Sequence, residues 1–75
     1  MDDKEFQSQL LFRINDPMLG VAIFEAKIEL RESLVLIQYP SSSDFTWHKL
    51  CVTKHREDLE HMASELLGTR MRLSV

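Results

Sequence analysis

The sequence predicts an α+β fold: a three-stranded sheet packed against helices in the order α-α-β-β-α-β. Three observations carry this. Apolar residues recur at helical steps in two stretches and fill a third, they alternate with polar residues in two others and form an aliphatic run between these, and Pro17, Pro40 and Gly68 sit at joins. With 75 residues the chain is one domain, and domains near this size bury only about 60–65% of the surface their unfolded chains expose. A deep catalytic cleft is not expected.

The first helix is expected over residues 3–14, where Phe6, Leu10 and Ile14 repeat every fourth position with Leu11 beside them. Asp2, Asp3 and Glu5 lie at its start, where the helix dipole favours negative charge. Pro17 disfavours helical geometry in the residue before it and so ends this helix. The same triplet, Asn15-Asp16-Pro17, opens a second helix over residues 17–26, with Asp16 as cap and Pro17 in the first helical position. This helix is apolar nearly all round (Met18, Leu19, Val21, Ala22, Ile23, Phe24, Ala26), so the domain or a partner must cover it. Gly20 costs about 1 kcal/mol of helix propensity there, tolerable where a neighbouring backbone passes close.

From Lys27 the period becomes two. Residues 27–31 alternate as a half-buried strand, Glu32 and Ser33 make a turn, and the aliphatic second strand spans residues 34–39. The loop Ser41-Ser42-Ser43-Asp44 offers helix caps in its last members. One long helix is expected over residues 44–67, because Phe45, His48, Val52, His55, Leu59, Met62 and Leu66 step by three and four along one face. Gly68 stops it, and residues 70–75 form the last strand, with Met71, Leu73 and Val75 on one side. A parallel pairing of the last two strands would make a right-handed β-α-β crossover.

Little in this pattern points to chemistry. Cys51 and His55 are four apart on a helix with Asp58 beyond, a spacing a nucleophile and base or two metal ligands could use, but no oxyanion site or further ligands accompany them. His48 lies about 10 Å further along the helix, too far to share an ion, so these residues read as packing and core-edge groups, with His61 solvated. Asp2-Asp3 and Glu57-Asp58 read as solvated carboxylates, and Gly20 and Gly68 are too far apart for a phosphate loop. No catalytic residue, metal, cofactor or small-molecule substrate is expected. A net charge of −3 argues against nucleic acid, although Lys49, Lys54, Arg56, Arg70 and Arg72 with Trp47 form a basic set. Arg56 with Glu60, and Lys54 with Asp58, are expected to be i, i+4 ion pairs. The longest apolar runs, Val21–Phe24 and Leu34–Ile37, are far short of the ~20 residues of a membrane span. The polar, acidic first residues do not resemble a targeting peptide, so a cytoplasmic domain is expected.

One feature stands apart. Trp47 and Leu50 lie about 150–200° from the apolar stripe of the long helix. With Lys54 they would make an apolar patch with a basic edge, as protein-binding surfaces have. Phe12 on the first helix has the same off-stripe placement. Trp47, Leu50, Lys54 and Phe12 are therefore the candidate partner-binding residues.

The element order and several motifs resemble the carboxy-terminal domain of the gamma/tau subunit of bacterial DNA polymerase III, the clamp-loader chain. The likeness runs through Phe6 at the first helix, Met18-Leu19-Gly20-Val21-Ala22-Ile23-Phe24-Glu25-Ala26, Leu34-Val35-Leu36-Ile37, Phe45, His55-Arg56-Glu57-Asp58-Leu59-Glu60, Leu66-Leu67-Gly68 and Met71-Arg72-Leu73-Ser74-Val75. Family members usually carry tryptophan where this chain has Phe6, and an ATPase portion that this chain does not contain. The resemblance implies protein–protein binding that tethers the polymerase alpha subunit to the clamp loader during DNA replication, without ATP hydrolysis in this domain. Tyr39-Pro40 followed by Phe45 also resembles the amino-terminal domain of the bacterial replication initiator, which implies recruitment of helicase or regulators. KH-type RNA-binding domains share the general shape, but their GXXG loop is missing here.

Overall fold

In the computed structural model, which describes residues 1–75, the elements are α1 (Asp3–Arg13), α2 (Pro17–Phe24), β1 (Lys27–Leu30), β2 (Leu34–Gln38), a 3-10 turn (Ser43–Phe45), α3 (Thr46–Lys54), α4 (Arg56–Leu67) and β3 (Arg72–Ser74). The α-α-β-β-α-β order stands, with its third helix in two parts. Local chemistry accounts for most of the ends. Asp2 caps α1 by accepting the Glu5 amide at 2.7 Å, and Asp16 caps α2 by accepting the amides of Met18 and Leu19. Gly68 ends α4 in the left-handed conformation, with φ +70°. The elements run slightly shorter than the sequence suggests: α1 stops at Arg13, α2 at Phe24, β1 at Leu30 and β2 at Gln38, while β3 keeps only Arg72–Ser74 of the expected residues 70–75. Val75 is consequently exposed, while Met71 and Leu73 are buried.

The expected single helix over residues 44–67 is interrupted at His55, where φ is −102° and ψ 18°. Neither proline nor glycine causes the break. The imidazole Nδ1 lies 2.9 Å from the Cys51 carbonyl, which the His55 amide also reaches at 3.2 Å while sharing itself with the Val52 carbonyl. A side chain inserted into the helical ladder is a known origin of such breaks. The apolar phase survives, since His48, Val52, Leu59 and Ala63 are all buried. Ser43 and Asp44 do not cap this region either. Ser42 Oγ accepts the Asp44 amide to form the 3-10 turn, and α3 opens at Phe45 without a side-chain cap.

The sheet order is β1-β2-β3, with β1 antiparallel and β3 parallel to β2. Arg31 and Leu34 exchange both backbone bonds around Glu32 and Ser33, closing the expected hairpin. No residue but Gly68 has positive φ, so the turn is not of the primed type. In register, Ile28 pairs with Ile37, Leu30 with Val35, and Val35 with Leu73. Ile28, Val35, Ile37 and Leu73 are buried, whereas Lys27, Gln38 and Arg72 of the opposite face are exposed. Phe6 and Leu10 of α1, Leu19, Ala22 and Ile23 of α2, Val52 of α3 and Leu59 and Ala63 of α4 complete the core.

Both edges of this short sheet are closed by helix side chains four residues apart. On the β1 side, Asp3 Oδ1 accepts the Leu30 amide at 3.1 Å, and Gln7 Nε2 donates to the Ala26 carbonyl at 3.1 Å. On the β3 side, Arg56 Nη1 donates to the Leu73 carbonyl at 2.6 Å, and Glu60 Oε2 accepts the Leu73 amide at 2.9 Å. Arg56 and Glu60 thus do not form the expected ion pair with each other. A charge-assisted bond to backbone is worth about 1.5–3 kcal/mol, more than an exposed pair at about 0–1 kcal/mol. Lys54 and Asp58 form no ion pair either, because the interruption at His55 puts them on different helices.

Glu60→Ala should therefore lower unfolding stability by about 1–3 kcal/mol, whereas Lys54→Ala and Asp58→Ala should stay within about 0.5 kcal/mol of the parent. Urea denaturation reads both. Equal losses at Glu60 and Lys54 would rule out the edge clamp.

Candidate functional site

Helices α2 and α3 lie against each other in opposite directions, joined at one end by a hydrogen bond between His48 and Glu25, while at the other end His55, just past α3, approaches Asp16. His48 Nε2 is 2.6 Å from Glu25 Oε1 at one end, and His55 Nε2 is 3.7 Å from Asp16 Oδ2 at the other. A carboxylate can only accept, so a neutral His48 carries its proton on Nε2. Its Nδ1 is buried without a hydrogen-bond partner, which costs about 1–3 kcal/mol. Three aromatic rings enclose this imidazole, with centroids 3.9 Å away at Trp47, 4.8 Å at Phe45 and 5.3 Å at Tyr39. Tyr39 in turn donates its hydroxyl to the Ala22 carbonyl in α2. From α1, Gln7 Nε2 reaches the carbonyls of Ile23 and Phe24 at 2.8 and 3.3 Å in the last turn of α2, adding to the Ala26 amide that Ile23 already accepts.

This clasp holds the inner faces together and leaves the outer ones bare. At 100° per residue, Met18, Val21 and Phe24 fall within an arc of about 120° opposite Leu19, Ala22, Ile23 and Ala26. All three are exposed, Phe24 to 70%. On α3, Trp47, Leu50 and Lys54 occupy positions i, i+3 and i+7 and share one face. Leu50 is 66% exposed and Lys54 exposed, while Trp47 is 39% exposed because His48 covers part of its ring. Trp47, Leu50 and Lys54 thus come together as the sequence suggested. Phe12 does not join them. It stands 92% exposed on α1, two residues and about 200° round the helix from buried Leu10.

Gly20 does not serve a close internal approach, since a Cβ built there would meet nothing within 4 Å. Sequence reasoning marked α2 as a helix needing cover without singling out Met18, Val21 and Phe24, because no polar residue between Pro17 and Phe24 tells the solvent side from the core side. The His48–Glu25 and His55–Asp16 contacts were likewise not legible, since they join residues far apart in sequence.

The groups considered for catalysis are otherwise employed. His55 directs Nδ1 to the backbone carbonyl of Cys51 rather than to its thiol. Cys51 is partly buried, and burial pushes its thiol above the ordinary range, reinforced by Asp16 and partly offset by Lys54. No group of three or more histidine, cysteine, aspartate or glutamate side chains is arranged to hold a metal ion. The largest hollow, a groove of about 540 Å³ lined by Glu25, Ala26, Lys27, Gln38, Tyr39 and Pro40, pairs no nucleophile with a base. No helix is long and apolar enough to cross a membrane. No family model, curated protein or solved structure matches this chain.

Two measurements follow from the titrating groups. Cys51 should react with a disulfide reagent at pH 8 more slowly in the folded chain than in urea, because a raised pKa leaves less thiolate. A folded rate equal to or above the unfolded one would refute this. For Tyr39, burial first, and then Cys51 and Glu25, hold the phenol well above its ordinary value of 10.0. Above about pH 10 the unfolded chain therefore releases a proton that the folded chain retains, and stability falls as pH rises. The urea midpoint should drop more steeply above pH 10 in the parent than in Tyr39→Phe, and parallel profiles would contradict the shift.

Proposed function

We propose that this chain is a non-catalytic protein-interaction domain that receives its partner on the outer faces of α2 and α3. The observation that carries the reading is the set of exposed apolar side chains on two helices packed together, Met18, Val21 and Phe24 on α2 and Trp47 and Leu50 on α3. Exposed apolar surface concentrated on neighbouring elements is costly in water and marks interaction sites. Its supports are built to stay in place: the His48–Glu25 hydrogen bond holds α3 to the end of α2, and the Tyr39 hydroxyl ties Ala22 of α2 to the end of β2. Binding would cost little reordering, which favours affinity.

The resemblance to the gamma/tau domain supplies the partner. In this reading the chain tethers the alpha subunit of a bacterial DNA polymerase III to its clamp loader, in the cytoplasm. The initiator-like alternative draws on Tyr39-Pro40 and Phe45, and here Tyr39 and Phe45 stack at 5.9 Å behind Trp47. It would bring the replicative helicase to the same face. A KH-like nucleic-acid role receives less support, because carboxylates stand at both ends of α2.

Binding of purified bacterial polymerase III alpha subunit to this chain, followed by calorimetry, tests the reading. Val21→Asp and Leu50→Asp should each weaken the complex by about 2 kcal/mol or more, roughly 30-fold, as for central interface residues. Both positions are exposed, so thermal stability should change little. Binding of helicase with no binding of alpha would favour the initiator-like reading, and undiminished binding by both variants would sink this face as the site.

A further inference from the structure

The outer face of α2 has a chemistry that narrows what can lie on it. From Pro17 to Phe24 the helix carries no charge, yet carboxylates bracket it: Asp16 before it and Glu25 after it, both about half exposed. They are nine residues apart, about 13 Å along a helix axis, and the chain as a whole carries −3. Between them, Gly20 sits in mid-helix with open space where its side chain would be. Glycine there weakens the helix relative to alanine, and nothing within the domain makes use of the missing Cβ. By the helical period, Pro17, Gly20, Val21 and Phe24 share the side of α2 that faces away from its core residues Leu19, Ala22 and Ile23. The result is an apolar helix side with open space at Gly20, Val21 and Phe24 exposed beside it, and a half-exposed carboxylate at each end of the helix.

Resting on the protein-binding reading above, we propose that the partner contributes an amphipathic, basic α-helix that lies along α2. Its apolar stripe packs over Val21 and Phe24, it makes its closest approach at Gly20, and arginine or lysine side chains at its two ends meet Asp16 and Glu25. Helix-in-groove recognition uses apolar anchors at this spacing, and opposed charges at the rim set orientation and approach. A second copy of the chain fits poorly. Laying α2 on α2 would oppose carboxylates in either direction, Asp16 to Glu25 if antiparallel and each to its own equivalent if parallel. No lysine or arginine falls between Asp16 and Glu25 in the sequence, so α2 itself carries no positive charge to meet the carboxylates of a second copy.

The test uses the whole chain with a fluorescein-labelled synthetic helical peptide of about 18 residues, bearing leucines along one face and two arginines about nine residues apart. Its twin carries glutamates in place of the two arginines. Anisotropy should show the arginine peptide binding at least about tenfold more tightly than its twin, with the gap closing at high salt. Gly20→Ala should raise the melting temperature yet weaken peptide binding several-fold. That combination separates a contact role from a folding role, because a variant that merely misfolds would lose both. Equal affinity of the two peptides, or undiminished binding by Gly20→Ala, would overturn the proposal. So would a concentration-dependent dimer abolished by Val21→Asp, which would put a second copy on this face. If neither peptide binds while alpha-subunit binding remains sensitive to Val21→Asp, only the basic helix falls and the interaction reading stands. If alpha-subunit binding also ignores Val21→Asp, both fall.

Discussion

A three-stranded sheet has one inner strand and two edges, and closing those edges is the constraint that organises this domain. Bare backbone at an edge invites pairing with other chains, and in so small a sheet the edges are most of it. Each is closed by residues i and i+4 of a helix, Asp3 and Gln7 for β1, Arg56 and Glu60 for β3. The spacing puts both side chains of each pair on one helix face, so a single helix can hold a strand edge at two points. This requirement places α1 beside β1 and α4 beside β3. Arg13 of α1 and Glu65 of α4 meet at 3.2 Å where these two helices come together.

Once α1 and α4 are committed to the edges, α2 and α3 complete the helical layer with less of their surface covered. Gln7 links the two halves of this arrangement, since its one amide group serves both the entry to β1 and the last carbonyls of α2. The break at His55 has a similar double consequence. It lets α3 follow α2 while α4 follows β3, and it brings the imidazole within 3.7 Å of Asp16. Two histidines that are too widely spaced to share a metal ion are spaced to meet the two ends of a short helix. The buried, unpartnered Nδ1 of His48 is an energetic cost of that clasp, offset in part by the three tilted rings packed around it.

The exposed apolar face follows from this geometry as well as from composition. Eight residues of α2 carry no charged or hydrogen-bonding side chain, and a domain of this size has too little mass to surround such a helix on all sides. Leu19, Ala22 and Ile23 take the available core, and Met18, Val21 and Phe24 remain outside. On α3, packed against α2, Leu50 and the partly covered Trp47 are also left outside the core. Phe12, by contrast, is a single exposed ring on another helix, and isolated surface hydrophobes are ordinary.

Element order and most of the element ends can be read along the chain, because these rest on local effects: apolar period, the Asp16-Pro17 cap and the left-handed Gly68. The sequence also marked α2 as short of cover and Trp47, Leu50 and Lys54 as one off-core face, since helical period alone places them. Where the long helix breaks emerges only in three dimensions, because the apolar phase runs through His55 unchanged and its imidazole shares the Cys51 carbonyl with its own amide. The roles of Arg56 and Glu60 were likewise hidden, as their spacing suits a surface ion pair just as well as a grip on β3. Which side of α2 meets water could not be read from a segment without polar residues, and it was settled by what packs against it. Local free energies are written along the chain, whereas choices among partners distant in sequence depend on the packed whole.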